Sequence, residues 1–147
     1  MEPPGHVEFV HRSWPADPVQ LSVIRHQLAD WVAPLRLTEQ ETADVVLAVD
    51  EAVSNAVEHA YGAGESGRVE LTLWTEPGTL SIEVVDHGRW RAPPRDAQHV
   101  PETSADASRG ITLMNTMVES VLIHFDDRGS RVLLRQHIPQ TSAGEQP

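Results

Sequence analysis

Hydrophobic residues recur at helical spacing in two long stretches of this chain of 147 residues. Before the first stretch, Asp17 supplies a capping residue and Pro18 the residue type favoured at the first helical position. Before the second, Thr38 and Glu41 have the spacing of a capping box. The pattern therefore predicts two consecutive helices, the second a long one that ends near residue 60. The apolar positions of the first helix are Leu21, Ile24, Leu28, Trp31 and Val32.

Period-two alternation of apolar and polar residues predicts five strands elsewhere in the chain. The first strand covers residues 6–14. A hairpin over 69–85 turns at Pro77-Gly78, and a second hairpin over 121–138 turns at Asp127-Arg128-Gly129. Because hairpins join neighbouring strands in opposite directions, most of the sheet should be antiparallel.

A long irregular segment separates the two hairpins. Residues 86–108 contain three prolines and few apolar residues, which is typical of a functional or disordered loop, and a short helix is predicted over 110–117. This order of elements predicts an α+β fold: a two-layer sandwich with a mostly antiparallel, mixed sheet and helices on one face. We expect one domain over residues 1–139 and a disordered polar tail over 140–147.

Composition narrows the classes of function. The 11 Lys+Arg against 22 Asp+Glu give a net charge of −11, which argues against the basic footprint of a nucleic-acid-binding protein. There is no cysteine, which excludes disulfide scaffolds, thiol catalysis and Cys-ligated zinc. No segment approaches the roughly 20 apolar residues of a membrane span, and the N-terminus lacks a signal-peptide pattern. We therefore expect a soluble, cytoplasmic protein that contacts neither nucleic acid nor membrane directly.

The second predicted helix carries a row of polar residues. Glu51, Asn55 and His59 are spaced four apart and share one helical stripe. The Asn55 amide oxygen is a hard ligand suited to magnesium, and the Glu51 carboxylate can accept a proton from a nucleophile. For His59 we expect a structural role. The alternative is that the stripe is an ordinary solvated face.

Two further motifs follow the first hairpin. Asp86 and Gly88 stand at the end of a strand, where a carboxylate can accept a hydrogen bond from an exocyclic amine and a glycine allows close approach. Arg109 and Gly110 lead into the short helix, whose N-terminus favours anionic phosphates. Taken singly, the first motif is also compatible with a plain turn and the second with an ordinary helix start.

In their order and spacing, these motifs resemble those of the GHKL, or Bergerat-fold, ATPases, and among them the anti-sigma-factor serine/threonine kinases. The segment DEAVSNAVEHAY resembles the N box of that family, VVDHG its first glycine box and SRGITLMNTMVESV its second. RGSRVLL resembles its closing pair of strands. The resemblance covers residues 7–138 in one unbroken order.

The resemblance implies a site for ATP and Mg²⁺ with a histidine-kinase-like fold. It assigns the magnesium ligand to Asn55, the general base to Glu51 and the contact with the adenine amine to Asp86. A lid over residues 91–108 would cover the phosphates. The other positions that it assigns to the nucleotide are Gly88, Arg109, Gly110, Thr112 and Ser130.

The resemblance also implies partners. It indicates an anti-sigma factor that sequesters a sigma factor and phosphorylates a serine or threonine on an anti-anti-sigma (STAS-type) protein, and it indicates a homodimer. Two positions depart from the family pattern: Trp90 replaces the last glycine of the first box, and Ser108 replaces the first glycine of the second. These departures motivate two alternatives, a nucleotide-binding module that sequesters a partner without transferring phosphate, and an interaction scaffold that binds no nucleotide.

Overall fold

One layer of the structure is a five-stranded antiparallel sheet. The structure is a computed structural model, and it describes residues 9–61, 66–89 and 113–139. The strands lie in the order β1-β2-β3-β5-β4, and each of the four pairings is antiparallel. The strands are β1 (Val10–Pro15), β2 (Arg68–Glu76), β3 (Thr79–Asp86), β4 (Ser120–Asp126) and β5 (Gly129–His137).

Helices form the second layer. α1 (Gln20–Val32) is followed by one turn of 3-10 helix (Ala33–Leu35) and by α2 (Glu39–His59), and residues 113–117 are helical. One face of the sheet is buried because alternate strand residues turn towards these helices, as period-two patterns require. The buried side chains include Val69, Leu71 and Leu73 of β2, Leu80, Ile82 and Val84 of β3, and Val45, Val49 and Val53 of α2. The predicted two-layer α+β sandwich is therefore confirmed.

The predicted capping box begins α2. The Glu41 backbone N–H donates to Thr38 Oγ1 at 3.0 Å, and the Thr38 backbone N–H donates to Glu41 Oε1 at 2.9 Å. Two of the backbone donors that a helix N-terminus leaves without partners are thereby satisfied. This cap anchors the first turn of the helix that carries Glu51 and Asn55.

The prediction for the start of α1 is wrong. The helix begins at Gln20, and its cap residue, Val19, makes no side-chain capping bond. Instead, Asp17 Oδ1 accepts a hydrogen bond from the Val19 N–H at 3.0 Å, and the Asp17 carbonyl accepts one from the Gln20 N–H at 2.9 Å. Asp17 and Pro18 therefore form a turn that precedes the helix, a local bonding pattern that competes with helical capping.

β1 begins at Val10, so Phe9, which the prediction placed inside the strand, precedes it, and β1 ends at Pro15, one residue beyond the predicted end. Met114 and Met117 of the short helix pack in the core, Met114 being 1% exposed. Residues 1–8, the start of that helix at 110–112 and the tail at 140–147 lie outside the described residues.

We predict that Thr38→Ala lowers the free energy of unfolding by about 1 kcal/mol, because it removes the hydroxyl that caps α2. The measurement is equilibrium unfolding in urea. Thr42→Ala, in the first turn of the same helix, is the matched control: it removes a hydroxyl that makes no capping bond, and helix propensity favours alanine there. Equal losses in the two variants would contradict a capping role for Thr38.

Candidate functional site

A buried carboxylate stands at the end of β3. Asp86 is 2% exposed, and Ser130 at the start of β5 is 6% exposed. Ser130 Oγ donates to Asp86 Oδ2 at 2.6 Å, and the Gly88 N–H donates to Asp86 Oδ1 at 3.1 Å. Because a buried charge is costly unless it is hydrogen-bonded, these two donors hold the carboxylate in one orientation.

Two glycines allow the backbone to close around Asp86. A Cβ atom at Gly88 would overlap the carbonyl oxygen of Ala60, which follows α2. Gly129 has φ +144°, in a region that side chains disfavour, and a Cβ there would overlap the carbonyl oxygen of Asp86. Gly88 thus joins the end of α2 to the end of β3, and Gly129 joins the β4–β5 turn to the same point.

Tyr61 makes a second connection between α2 and the sheet. Its hydroxyl donates to the carbonyl of Arg68 in β2 at 2.7 Å and accepts from the N–H of His87 at 3.0 Å. The His87 imidazole in turn lies 2.8 Å from Glu70 Oε2. His87, which lies between Asp86 and Gly88, is therefore held by Tyr61 through its backbone and by Glu70 through its side chain.

The polar stripe on α2 is not an ordinary solvated face, because Asn55 is only 7% exposed. A buried amide is stable only with a hydrogen-bonding or ligand partner, because burial without one is costly. Asn55 lies about one and a half helical turns before the junction between Ala60 and Gly88.

Glu51 lies one turn before Asn55 and is half-buried. Its pKa is raised above the ordinary value, first by burial and then by the negative charges of Asp50 and Glu58. A carboxylate with a raised pKa is a better proton acceptor than an exposed one, which suits a general base. His59, the third member of the stripe, has its Nε2 atom 3.6 Å from Glu58 Oε1.

A cleft of about 250 Å³ lies at the ends of β3, β4 and β5. Asp86 and Ser130 line it, whereas Glu51 and Asn55 do not. The described residues therefore place the predicted adenine contacts beside a cavity and the predicted metal ligand and base on the helix layer. The other lining residues are Val85, His87, His124, Asp126, Arg128, Gly129 and Arg131.

The residues that the resemblance assigns to the phosphates lie outside the described residues. These are Arg109, Gly110 and Thr112, together with the lid over 91–108 and the two departures, Trp90 and Ser108. Among the described residues, no group of three or more His, Cys, Asp or Glu side chains is arranged to hold a metal ion. No helix among them is long and apolar enough to cross a membrane.

A comparison with protein families decides where this chain belongs. The profile described as "Histidine kinase-like ATPase domain" matches residues 14–136. The chain is a member of that family. The resemblance inferred from the motifs is thereby confirmed, and the match covers both the helix with Glu51 and Asn55 and the strand end with Asp86.

The proteins to which this chain is similar include one named as a serine-protein kinase and one named as an anti-sigma factor. The chain is 26% identical over 127 residues to the serine-protein kinase RsbW of Bacillus licheniformis, covering 81% of this chain and 79% of the relative. It is 29% identical over 143 residues to the anti-sigma F factor of Geobacillus kaustophilus, covering 94% of each. The similarity thus extends over most of the length of both relatives.

Solved structures share the fold of this histidine kinase-like ATPase domain. The structure of the RsbU and RsbW domains of a Mycobacterium tuberculosis protein has a TM-score of 0.65 at 23% identity, covering 88% of this chain and 32% of that one. The histidine kinase domain of a blue-light-activated kinase from Erythrobacter litoralis has a TM-score of 0.52 at 17% identity, covering 83% of this chain and 66% of that one. At these identities the likeness establishes the fold alone.

Sequence reasoning missed the roles of Tyr61 and Gly129. Tyr61 ends the segment that resembles the N box, but nothing in the local pattern indicates that its hydroxyl reaches β2 and His87. Gly129 was assigned only to a turn, whereas its close approach to Asp86 depends on the pairing of β3 with β5. The resemblance of RGSRVLL to the closing strands of the family assigns Ser130 to the nucleotide, but it does not indicate the bond from Ser130 to Asp86.

We predict that Tyr61→Phe lowers the free energy of unfolding by roughly 1–3 kcal/mol, because it removes both hydroxyl bonds and leaves the His87 N–H without that acceptor. Equilibrium unfolding in urea measures the loss. Thr72→Val is the control, since it removes a hydroxyl whose bond to His11 is solvent-exposed. A Tyr61→Phe loss no larger than that of the control would show that the hydroxyl does not join the two layers.

Proposed function

We propose that this protein is an ATP-dependent serine/threonine kinase that also acts as an anti-sigma factor. It sequesters a sigma factor in the bacterial cytoplasm and phosphorylates a serine or threonine on an anti-anti-sigma protein of the STAS type. The observation that carries the proposal is the buried Asn55 one turn from Glu51, on a helix whose end is joined to Asp86. Membership of an ATPase family and similarity to RsbW and anti-sigma F factor support it.

Asn55 is the proposed ligand of Mg²⁺. Magnesium prefers hard oxygen ligands, keeps several waters and commonly takes only one or two protein ligands besides phosphates, so a single buried carboxamide oxygen fits it. When bound, the ion neutralises charge on the transferring phosphoryl group. The same helix then carries the ligand and the base, and one rigid element sets their separation.

Glu51 is the proposed general base. Its carboxylate takes the proton from the serine hydroxyl of the antagonist as the hydroxyl oxygen attacks the terminal phosphorus of ATP, and ADP leaves. The raised pKa of Glu51, caused mainly by burial, brings its basicity closer to neutral pH. Transfer therefore declines as pH falls through this raised pKa, because only the deprotonated carboxylate accepts the proton.

Asp86 is the proposed adenine contact. The carboxylate is held by Ser130 and by the Gly88 N–H and lines a cavity, so it can accept a hydrogen bond from the exocyclic amine of adenine. Gly88 and Ser130 contribute by donating hydrogen bonds that orient the Asp86 carboxylate. Arg109, Gly110 and Thr112 are assigned to the phosphates on the strength of the resemblance. We also propose a homodimer on that basis.

A second candidate function is partner sequestration with nucleotide binding but without transfer. Trp90 and Ser108 favour it, because both replace glycines whose conformational freedom the family pattern uses around the nucleotide. A scaffold that binds a partner but no nucleotide is the extreme form of this candidate. Neither form phosphorylates the antagonist, whereas the kinase does, so the mass of the antagonist separates them from the kinase.

We predict that the protein transfers phosphate from ATP to a STAS-type antagonist and that Glu51→Gln lowers the rate by roughly 100-fold to 10,000-fold while ATP still binds. Incubation with ATP and Mg²⁺ followed by intact-mass measurement of the antagonist tests both parts. Glu76→Gln, at an exposed strand end, is the control with the same charge change. An antagonist of unchanged mass with the wild-type protein would support sequestration without transfer.

We predict that Asn55→Ala weakens magnesium-dependent ATP binding by roughly 10-fold or more, because the proposed metal loses its protein ligand. Calorimetric titration with ATP, with and without Mg²⁺, measures the change. Gln40→Ala removes an exposed carboxamide from the same helix and should leave affinity unchanged. No heat at millimolar ATP with the wild-type protein would defeat both nucleotide-based candidates.

A further inference from the structure

An ion pair between the two long helices lies one residue from Glu51. Arg25 Nη1 of α1 donates to Asp50 Oδ1 of α2 at 3.0 Å. The Arg25 side chain is 43% exposed and the Asp50 side chain 20% exposed. In the described part of the chain, this is the one ion pair that joins α1 to α2.

Asp50 and Glu51 are adjacent in the sequence, but their side chains leave the helix in different directions. Successive residues on a helix point about 100° apart, so Asp50 can face α1 while Glu51 faces another side. Asp50 precedes Glu51 in the chain, and after burial its negative charge is the largest cause of the raised pKa of the Glu51 carboxyl, ahead of Glu58. The charge that Arg25 contacts is therefore one that acts directly on Glu51.

We propose that Arg25 is a positioning residue for the Glu51 base: by pairing with Asp50 it compensates the negative charge beside Glu51 and holds α2 against α1. This inference rests on the proposed function, since it gives Arg25 a part in the reaction assigned to Glu51. The guanidinium suits the task because it is always charged and its donors are fixed in a plane. A half-exposed pair contributes little to stability, so its main effect is on the neighbouring charge.

Among the described residues, the charges that shift the pKa of Glu51 are those of Asp50 and Glu58 on α2, both negative. Arg25 of α1 contacts Asp50 and not Glu51 itself. No charged group of the sheet is among the causes of the Glu51 shift in the part of the chain that the structure describes. Arg25 is thus the cation that pairs with the negative charge next to Glu51 in the sequence.

Removal of Arg25 should displace the acidic limb of the pH–rate profile for phosphate transfer, the range in which the rate rises with pH. In Arg25→Met, the uncompensated Asp50 charge moves that limb upward by about 0.5 pH unit, an effect of one added charge at partly solvated separation. The rate on the limb falls about 3-fold, while the rate on the plateau is unchanged. Asp50→Asn moves the limb downward, and Arg25→Met in the Asp50→Asn background produces no further shift.

Two variants separate charge compensation from other effects. Arg25→Lys keeps the positive charge and should restore most of the wild-type profile. Arg135→Met removes an arginine from an exposed position on β5, far along the chain from α2, and should leave the profile in place. The proposal is overturned if Arg25→Met and Arg135→Met shift the limb equally, or if the Arg25→Met shift persists in the Asp50→Asn background.

A second measurement keeps this test distinct from the test of the kinase itself. The ¹³C shift of the Glu51 carboxyl carbon, assigned by comparison with Glu51→Gln, reports its titration without turnover. An upward shift in Arg25→Met that disappears in the Asp50→Asn background supports the inference even if no phosphate is transferred. Identical titration of Glu51 in the wild-type protein and Arg25→Met contradicts it, whatever the kinase assay gives.

Discussion

The contact between Gly88 and the carbonyl of Ala60 is the constraint on which the rest of the structure depends. It brings the end of α2 against the end of β3 with no side chain between them, and any Cβ atom at position 88 would force the two apart. The helix layer with Glu51 and Asn55 and the strand end with Asp86 are thereby held at one separation. Tyr61 reinforces the junction, because its hydroxyl bonds both β2 and His87. A site that spans two layers needs such a contact, since packing of apolar side chains alone tolerates small sliding movements.

The two carboxylates proposed for the site, Asp86 and Glu51, lie in different environments. Asp86 is buried, but Ser130 and the Gly88 N–H satisfy it, so it is a fixed acceptor. Glu51 is half-buried, and this burial, followed by the negative charges of Asp50 and Glu58, raises its pKa. When two carboxylates in one site have different environments, their pKa values differ. One carboxylate can then serve as a hydrogen-bond acceptor and the other as a proton-transfer group. In a chain with a net charge of −11, the scarce cations near the site therefore carry particular weight.

Family membership and chemistry rest on different parts of the molecule. The match over residues 14–136 reflects the whole arrangement of sheet and helices, and solved structures at 23% and 17% identity share that arrangement. The proposed reaction rests on a few side chains within it, because one fold can carry many activities. Glu51, Asn55 and Asp86 are present together in a chain similar to RsbW and anti-sigma F factor, which is why the kinase is the leading proposal.

By itself, the sequence determined the helix pattern, the two hairpins and the capping box of α2, because spacing and local bonding decide these features over a few residues. It also determined the family, through motifs in a fixed order. It misplaced the start of α1, where Asp17 bonds its own turn instead of the helix. Only the tertiary structure decided that Asn55 is buried, that Ser130 holds Asp86 across 44 residues of chain, and that Arg25 meets Asp50. These contacts join residues distant in sequence, and only the packing of α2 on the sheet and of β3 beside β5 brings them together.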